Sequence, residues 1–396
     1  MTGSTMTDAR TALPQTLQVI EQGMADRLHV GAQLYVSRRG TVLCDTALGE
    51  ARAGVALQPD SLMLWMSSVK PVMGVAVAQL WERGLLAPDD PVCRHIPEFG
   101  TKGKEAITLR HVLTHTGGFR AAASQWSAAP WTEIIAEICD AEVESGWIPG
   151  RHAGYHVSSG WYILGEVVRR RDGRPFERYV REAIFEPLGM HDSWVGMPAE
   201  RHRGYGDRIA AMHMTTGDGL TPHPFWPWAG TAEGCALCRP GGSAWGPIRE
   251  LGRFYEALLA GGRNVLRPQT VEALTTRHTV GLLDRTFGVP LDRGLGVVVD
   301  SKHHGPGADW FGPHCSPRTF GHGGYVSSVG FADPEHGIAV ALVFNGMTDQ
   351  PRHDARVHAT LGAIYNDLGF SASANGDDPQ VFEGLDSTLR SQQRKD

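Results

Sequence analysis

Ser61-Leu-Met-Leu-Trp-Met-Ser-Ser-Val-Lys-Pro-Val-Met-Gly-Val-Ala-Val-Ala-Gln-Leu-Trp81 holds a single charge, Lys70, in a run otherwise fit for burial. Burying an unpaired ammonium costs several kcal/mol, so a buried Lys70 is driven toward its neutral form. Pro71 has no N–H and is tolerated only in a helix's first turn, which places a helix start near Ser67 and predicts a helix over Ser67–Arg83. Ser67 and Lys70 then stand one turn apart on one face. A hydroxyl at the positive end of a helix, beside an easily neutralised amine, is a nucleophile with its base. The lysine also argues against a membrane span, so the run reads as a core helix.

Outward from that helix, strand and helix signals alternate. Gln33-Leu-Tyr-Val-Ser37, a turn at Arg38-Arg-Gly40 and Thr41-Val-Leu43 read as a hairpin within Ala32–Ala47. Helical patterns follow at Gly160–Arg170, Phe176–Phe185, Ile248–Leu259 and His353–Leu368. Strand-like runs occupy Gly294–Val299, Ser327–Ala332 and Ile338–Phe344. The expected fold class is α+β: an antiparallel sheet completed by both ends of the chain and flanked by helices, with an inserted, mostly helical subdomain. One domain is expected over residues 15–370, its sheet region near 15–90 and 240–370 and its helical region near 90–240. Residues 1–14 and 371–396 read as flexible tails. Gly204–Pro247, dense in Gly, Pro, His and Trp, reads as an irregular excursion of the type that covers pockets.

With 37 basic and 43 acidic residues the net charge is −6, which offers no basic field for nucleic acid or anionic lipid. The polar first twelve residues lack a basic segment followed by an apolar one, so a cytoplasmic location is expected. Six cysteines in such a chain are expected as free thiols. Cys235-x-x-Cys238 has metal-like spacing but no second pair to complete a site, so no metal is assigned.

Several motifs then occur in order. Met66-Ser-Ser-Val-Lys-Pro71 is followed by Leu85-Leu-Ala-Pro-Asp-Asp-Pro-Val92 and Ile96-Pro-Glu-Phe99. Ile107-Thr-Leu-Arg-His-Val-Leu-Thr-His-Thr-Gly-Gly118, Leu164-Gly-Glu-Val-Val168 and Glu186-Pro-Leu-Gly-Met190 come next. Phe320-Gly-His-Gly-Gly-Tyr325 and Val329-Gly-Phe-Ala-Asp-Pro334 close the series. Together they resemble the serine β-lactamase-like family, which holds class C β-lactamases, D-alanyl-D-alanine peptidases, family VIII carboxylesterases and related transacylases.

By this resemblance Ser67 is the acylated nucleophile and Lys70 its partner. The family's third catalytic group is a tyrosine after a Pro-Gly turn and before a Gly-x-x-x-Leu-Gly helix, which here means Pro149-Gly-Arg-His-Ala-Gly-Tyr-His-Val-Ser-Ser-Gly160. Counting from Pro149 reaches Tyr155, and counting back from Gly160 reaches His156. A phenol whose pKa is lowered by Lys70⁺ can shuttle a proton to a leaving group, which favours Tyr155. His156 has acid–base capacity too, and is otherwise expected with Ser158 on the substrate side. The Asn usually found two residues beyond the tyrosine is missing, Val157 or Ser158 standing in that neighbourhood.

His322-Gly323-Gly324 occupies the place of Lys-Thr-Gly in β-lactamases and peptidases, where many esterases have His. The resemblance makes His322 a further catalytic group, steadying the tyrosine proton or a substrate carboxylate. Gly323 and Gly324 let a substrate lie along the strand edge. The backbone N–H groups of Ser67 and Tyr325 are the implied oxyanion donors, worth about 3–4 kcal/mol each in the transition state. Val326-Ser327 replace a Gly-Gly common in such esterases and are expected to reshape one wall. His115 is assigned to scaffold, and Gly241-Gly242-Ser243 to backbone geometry. Trp226, Trp228, Trp310 and Phe311 lie on loops expected to rim the cleft, where they either form an acyl or leaving-group pocket or pin their loops.

These residues imply an acyl-enzyme catalyst that acts on a small-molecule ester or amide and passes the acyl group to water. The alternative is a transacylase that passes it to an amine or alcohol in secondary-metabolite (antibiotic) biosynthesis. A β-lactamase or D,D-peptidase fits less well, because the lysine that holds such substrates' carboxylate is His322 here. A non-catalytic binder has no reason to keep a buried lysine beside a serine. No cofactor is called for, since every step is proton or acyl transfer.

Overall fold

Arg39 and Gly40 both have positive φ (50° and 78°), the two-residue turn that suits a tight hairpin, and they join β1 (Gly31–Arg38) to β2 (Thr41–Arg52). The computed structural model describes residues 9–122, 128–216, 219–222 and 226–370. With β3 (Val55–Ala56), β4 (Thr279–Asp284), β5 (Val289–Arg293), β6 (Val298–Val299), β7 (Phe320–Gly324), β8 (Ser328–Asp333) and β9 (Ile338–Phe344), these strands form one sheet. Its order is β3-β2-β1-β9-β8-β7-β6-β5-β4, antiparallel throughout. β1 lies against β9, with Leu34 opposite Leu342, so both ends of the chain build the sheet's centre.

Five helices organise the rest: α1 (Pro14–Ala25), α2 (Lys70–Glu82), α3 (Ser159–Asp172), α4 (Ile248–Leu259) and α5 (Gln350–Asp367). One face of the sheet is covered by α1 and α5, where Leu17, Ile20, Leu361 and Ile364 pack with Leu34, Val340 and Leu342. The other face carries α4 so closely that a Cβ on Gly252 would meet the Tyr35 ring at 2.1 Å. Beyond α4 lies the helical region, with α2 packed against α3. Every residue from Lys70 to Ala78 is buried, as expected of a helix apolar on all sides. Each fully buried valine there contributes about 1.5–3 kcal/mol.

The antiparallel sheet and flanking helices agree with the α+β expectation, and several details differ. The helix expected from Ser67 starts as a tight 3₁₀ turn, Met66–Val69, and becomes α-helical at Lys70. Within Gly294–Val299 only Val298–Val299 pairs. Gly296 has φ of 85°, and a Cβ on Gly74 would lie 2.9 Å from the Leu295 carbonyl, so this stretch turns to lie against α2. Phe176–Phe185 is α-helical to Val180 and then widens into a π turn over Arg181–Phe185. Ala9–Ala12 forms a helical turn and Leu13 is fully buried with α1, where the sequence suggested the tail. The Gly204–Pro247 excursion holds a hairpin, His213–Thr216 with Gly219–Pro222, and the short helices Trp226–Ala229 and Ala232–Ala236. The β4–β5 hairpin carries no sequence-based expectation, and it proves central to the site.

Candidate active site

Ser67 sits in the 3₁₀ turn that leads into α2, directly after Met66, whose φ of +49° is a strained value for a side chain of that size. Neighbouring contacts hold the turn there. Ser328 Oγ donates to the Trp65 carbonyl (2.6 Å), Ser68 Oγ donates to the His322 carbonyl (3.2 Å), and the two hydroxyls lie 2.9 Å apart. A Cβ on Gly324 would collide with Ser328 Oγ (2.2 Å) and the Trp65 carbonyl (2.5 Å), so β7 must carry glycine where it passes the turn.

Lys70 is fully buried, and its Nζ lies 2.9 Å from Ser67 Oγ. The same nitrogen donates to the Val157 carbonyl (3.0 Å) and to the Gly241 carbonyl. Desolvation, reinforced by the positive charge of Arg293, pushes its pKa well below the ordinary lysine value. A neutral amine has two N–H bonds and one lone pair. In that form two carbonyls can take both N–H bonds, and the lone pair is then available for the Ser67 hydroxyl proton. Gly241, expected to serve backbone geometry, does so as a lysine acceptor; a Cβ there would come within 2.9 Å of Trp161 and of the Val157 carbonyl.

Tyr155 is also buried, its phenol hydrogen-bonded to Ser67 and its ring centroid 4.9 Å from Lys70 Nζ. The phenol departs from the expected chemistry. Burial dominates and raises its pKa, against the smaller lowering by Ser67 and Arg293, so Tyr155 is held as a protonated donor.

His156 faces elsewhere. Its Nδ1 meets Ser159 Oγ at 3.0 Å and its ring packs edge-on against Phe119, while burial lowers its pKa to about 3. The structure sets Tyr155, and not His156, against Ser67 and Lys70. Ser158 is the buried N-cap residue of α3. His115 lies beneath Tyr155 (ring centroids 4.8 Å apart) and accepts the His156 N–H at Nδ1, 2.9 Å away.

His322 projects from β7 beside Tyr155, ring centroids 5.8 Å apart. Its Nδ1 lies 2.6 Å from the Gly323 carbonyl and takes the proton, which leaves Nε2 as an acceptor with no partner among the described residues. Burial and Lys70 hold its pKa well below the usual imidazole value. His322 is therefore neutral, which suits steadying the phenol and removes the cation needed to pair with a substrate carboxylate. β6 pairs with β7 only at Phe320 and Gly321, which leaves the edge from His322 to Gly324 open on that side. Tyr325 follows in a turn closed by Ser327 N–H on the Gly324 carbonyl (3.1 Å), with its side chain 66% exposed.

The expected rim divides. Trp310 lies against His322 (5.7 Å) and Phe287 (5.4 Å), at the mouth. Trp228 stacks on the Arg239 guanidinium (4.3 Å) inside its own loop, which pins that loop. The Trp226 side chain lies outside the described residues. Phe311 is fully buried against Phe331, because its loop turns under the α1/α5 layer. Val326, expected to form a wall, instead points into an apolar cluster with Met66, Trp245 and Met347.

Sequence reasoning missed the group that sets Tyr155. At the β4–β5 hairpin, Asp284 Oδ1 accepts the Tyr155 N–H (3.1 Å) and the Thr286 N–H (2.9 Å), while Thr286 Oγ1 donates to the Tyr155 carbonyl (3.3 Å). Asp284 Oδ2 takes Arg293 Nη2 at 2.6 Å in a fully enclosed pair, with the guanidinium 5.9 Å from the Tyr155 ring centroid. Phe287 packs against that ring, centroids 5.0 Å apart. The one available signal was the run Leu282-Leu-Asp-Arg-Thr-Phe-Gly288, an apolar stretch broken by a turn-forming Asp and Gly.

The sequence profile of the Beta-lactamase family matches residues 17–363. Esterase EstB of Burkholderia gladioli is 28% identical over 370 residues, which span 85% of this chain and 91% of that protein. Esterase/beta-lactamase LipL of Mycobacterium tuberculosis is 28% identical over 344 residues, 80% of this chain and 77% of its own. Among solved structures, a penicillin-binding protein homologue from Caulobacter crescentus is 28% identical, with a TM-score of 0.76 over 92% of this chain and 99% of its own. No helix among the described residues is long and apolar enough to cross a membrane.

Proposed function

The chain belongs to the Beta-lactamase family, and we propose that within it the chain works as a serine hydrolase that cleaves small-molecule esters through an acyl-enzyme on Ser67. The observation that carries this reading is the fully buried Lys70 amine, 2.9 Å from Ser67 Oγ, held there by the Val157 and Gly241 carbonyls and with a pKa lowered well below the ordinary lysine value by burial.

As Ser67 Oγ bonds to the ester carbonyl carbon, its proton moves to Lys70. The oxyanion rests on the Ser67 and Tyr325 N–H groups at the open edge of β7. The tetrahedral adduct collapses, the C–O bond to the leaving alcohol breaks, and the Tyr155 phenol protonates that oxygen. The proton on Lys70 then restores the phenol. Water repeats the sequence on the acyl carbonyl and frees Ser67. His322 stands beside the phenol with an open acceptor at Nε2, while Asp284 and Arg293 act as positioning residues through Tyr155. Esterase names among the relatives support an ester substrate.

The test is labelling by a fluorophosphonate read by intact mass. One adduct per chain is expected, absent in Ser67→Ala and slowed about 10²–10⁴-fold in Lys70→Ala. A wild-type chain that fails to label overturns the proposal. The apolar mouth, where Val157 and Phe287 are each 42% exposed, also favours an apolar amine or alcohol over water as acyl acceptor. Acyl-donor turnover that depends on such an acceptor identifies a transacylase; turnover without one identifies the esterase.

A further inference from the structure

Outside the active site, on the outer strands of the sheet, Asp292 on β5 faces two consecutive histidines, His303 and His304, in the 3₁₀ turn Lys302–His304. Neighbouring residues of such a turn point roughly 120° apart. Here the two rings converge, with centroids 3.9 Å apart, and both aim Nε2 at one carboxylate. His304 Nε2 lies 2.9 Å from Asp292 Oδ1 and His303 Nε2 lies 3.6 Å from Oδ2, the three donor atoms all within 4.8 Å of one another.

The carboxylate is fully buried and held in place. Oδ1 accepts the Gly281 N–H (2.9 Å) and Oδ2 accepts Arg277 Nε (2.7 Å), while Arg277 Nη2 is tied to the Asp300 and Pro317 carbonyls. An ion–pair clasp explains one histidine on Asp292. It does not require two, and the second ring is stacked 3.9 Å from the first with its Nε2 turned to the same carboxylate.

We infer that Asp292, His303 and His304 form a surface site for a divalent ion of the imidazole-preferring class, with Zn²⁺ as the best fit. Two ligand atoms each about 2.0–2.2 Å from such an ion, at angles of about 90–110°, stand roughly 3.0–3.5 Å apart. The observed separations of 2.9 and 3.6 Å bracket that range, and His303, half-exposed, is free to close the difference. Two imidazoles and one carboxylate select zinc-like ions over Mg²⁺ or Ca²⁺. Gly281 N–H and Arg277 supply the outer support that orients a metal-binding carboxylate. Water completes the coordination. The ion ties the 302–304 turn to β5 and touches none of the reacting atoms.

The test uses the untagged full-length chain, freed of metal by chelation and titrated with ZnCl₂ by calorimetry. In parallel, CoCl₂ is followed by visible absorption and thermal unfolding is followed by circular dichroism. One equivalent of Zn²⁺ is expected, with a higher Tm and a cobalt spectrum of four- or five-coordinate type, while MgCl₂ produces none of these. His304→Gln keeps an amide donor for Asp292 but is a poor ligand, and is expected to weaken zinc binding at least about 10-fold. Fluorophosphonate labelling of Ser67 stays at the wild-type rate in that variant, which separates loss of the ion from loss of the fold. No saturable binding by the wild type leaves the cluster an ion-pair clasp and overturns the inference. Zinc bound equally well by a folded His303→Ala/His304→Ala chain overturns it too, by placing the ion elsewhere.

Discussion

Arg293→Met tests whether the hairpin behind Tyr155 governs the Lys70 amine. Lys70 must be neutral to take the Ser67 proton, and the fixed guanidinium of Arg293 disfavours its protonated form. Arg293 Cζ and Lys70 Nζ lie 5.9 and 4.9 Å from the same Tyr155 ring centroid, so the two cations are at most about 11 Å apart. At an effective dielectric of about 20, their repulsion is about 1.5 kcal/mol, or about one pH unit on the lysine. Removing Arg293 makes the ammonium easier to form, so the acidic limb of the rate–pH profile moves about one unit to higher pH. The variant also leaves Asp284 as a buried unpaired charge, at a cost of about 3–5 kcal/mol. Asp284→Asn/Arg293→Met removes both charges and is expected to recover most of that stability while the acidic limb stays displaced. The assays are the fluorophosphonate labelling rate between pH 5 and 10 and urea unfolding followed by circular dichroism. A folded single variant whose profile superimposes on the wild type refutes the electrostatic role of Arg293.

Other substitutions probe other parts of the site. Tyr155→Phe should slow cleavage of an alkyl ester about 10²–10⁴-fold and that of a p-nitrophenyl ester far less, because the better leaving group needs no proton; steady-state rates on the two substrates decide. Gly324→Ala drives a methyl into Ser328 Oγ and the Trp65 carbonyl, and should lower both Tm and the labelling rate, the latter at least about 10-fold. Buried Arg356 donates to the carbonyls of Leu28, Val326 and Gly346; Arg356→Met should cost about 3–5 kcal/mol in urea unfolding by leaving them unpaired.

The elements that the sequence made legible are those whose chemistry is local. Lys70 announced itself as one charge in an apolar run, and Pro71 fixed where its helix begins. The β1–β2 turn, the full length of α4 and all of β9 follow from breaker residues and periodicity. The phenol's raised pKa was not legible, because it depends on how completely distant segments bury Tyr155. Asp284 and Arg293 stayed hidden for a related reason. Nothing near either residue in the chain mentions Tyr155, more than a hundred positions upstream, and their role exists only once β4 and β5 join the sheet. Trp228 and Trp310 look alike as sequence. One stacks on an arginine inside its own loop and the other on the edge of His322, a difference set by tertiary packing alone.

The pairing of β1 with β9 has a consequence for how activity first arises. A ribosome delivers the serine and lysine early, yet the tyrosine's clamp, the histidine and the sheet's central partner come from the final third of the chain. Joining segments so distant in sequence is slow, because loop closure must be met before any contact rewards it. The nascent polypeptide therefore carries its nucleophile for most of translation without the means to use it, since the central pairing of Ile338–Phe344 with Gly31–Arg38 cannot form before the later strand is made.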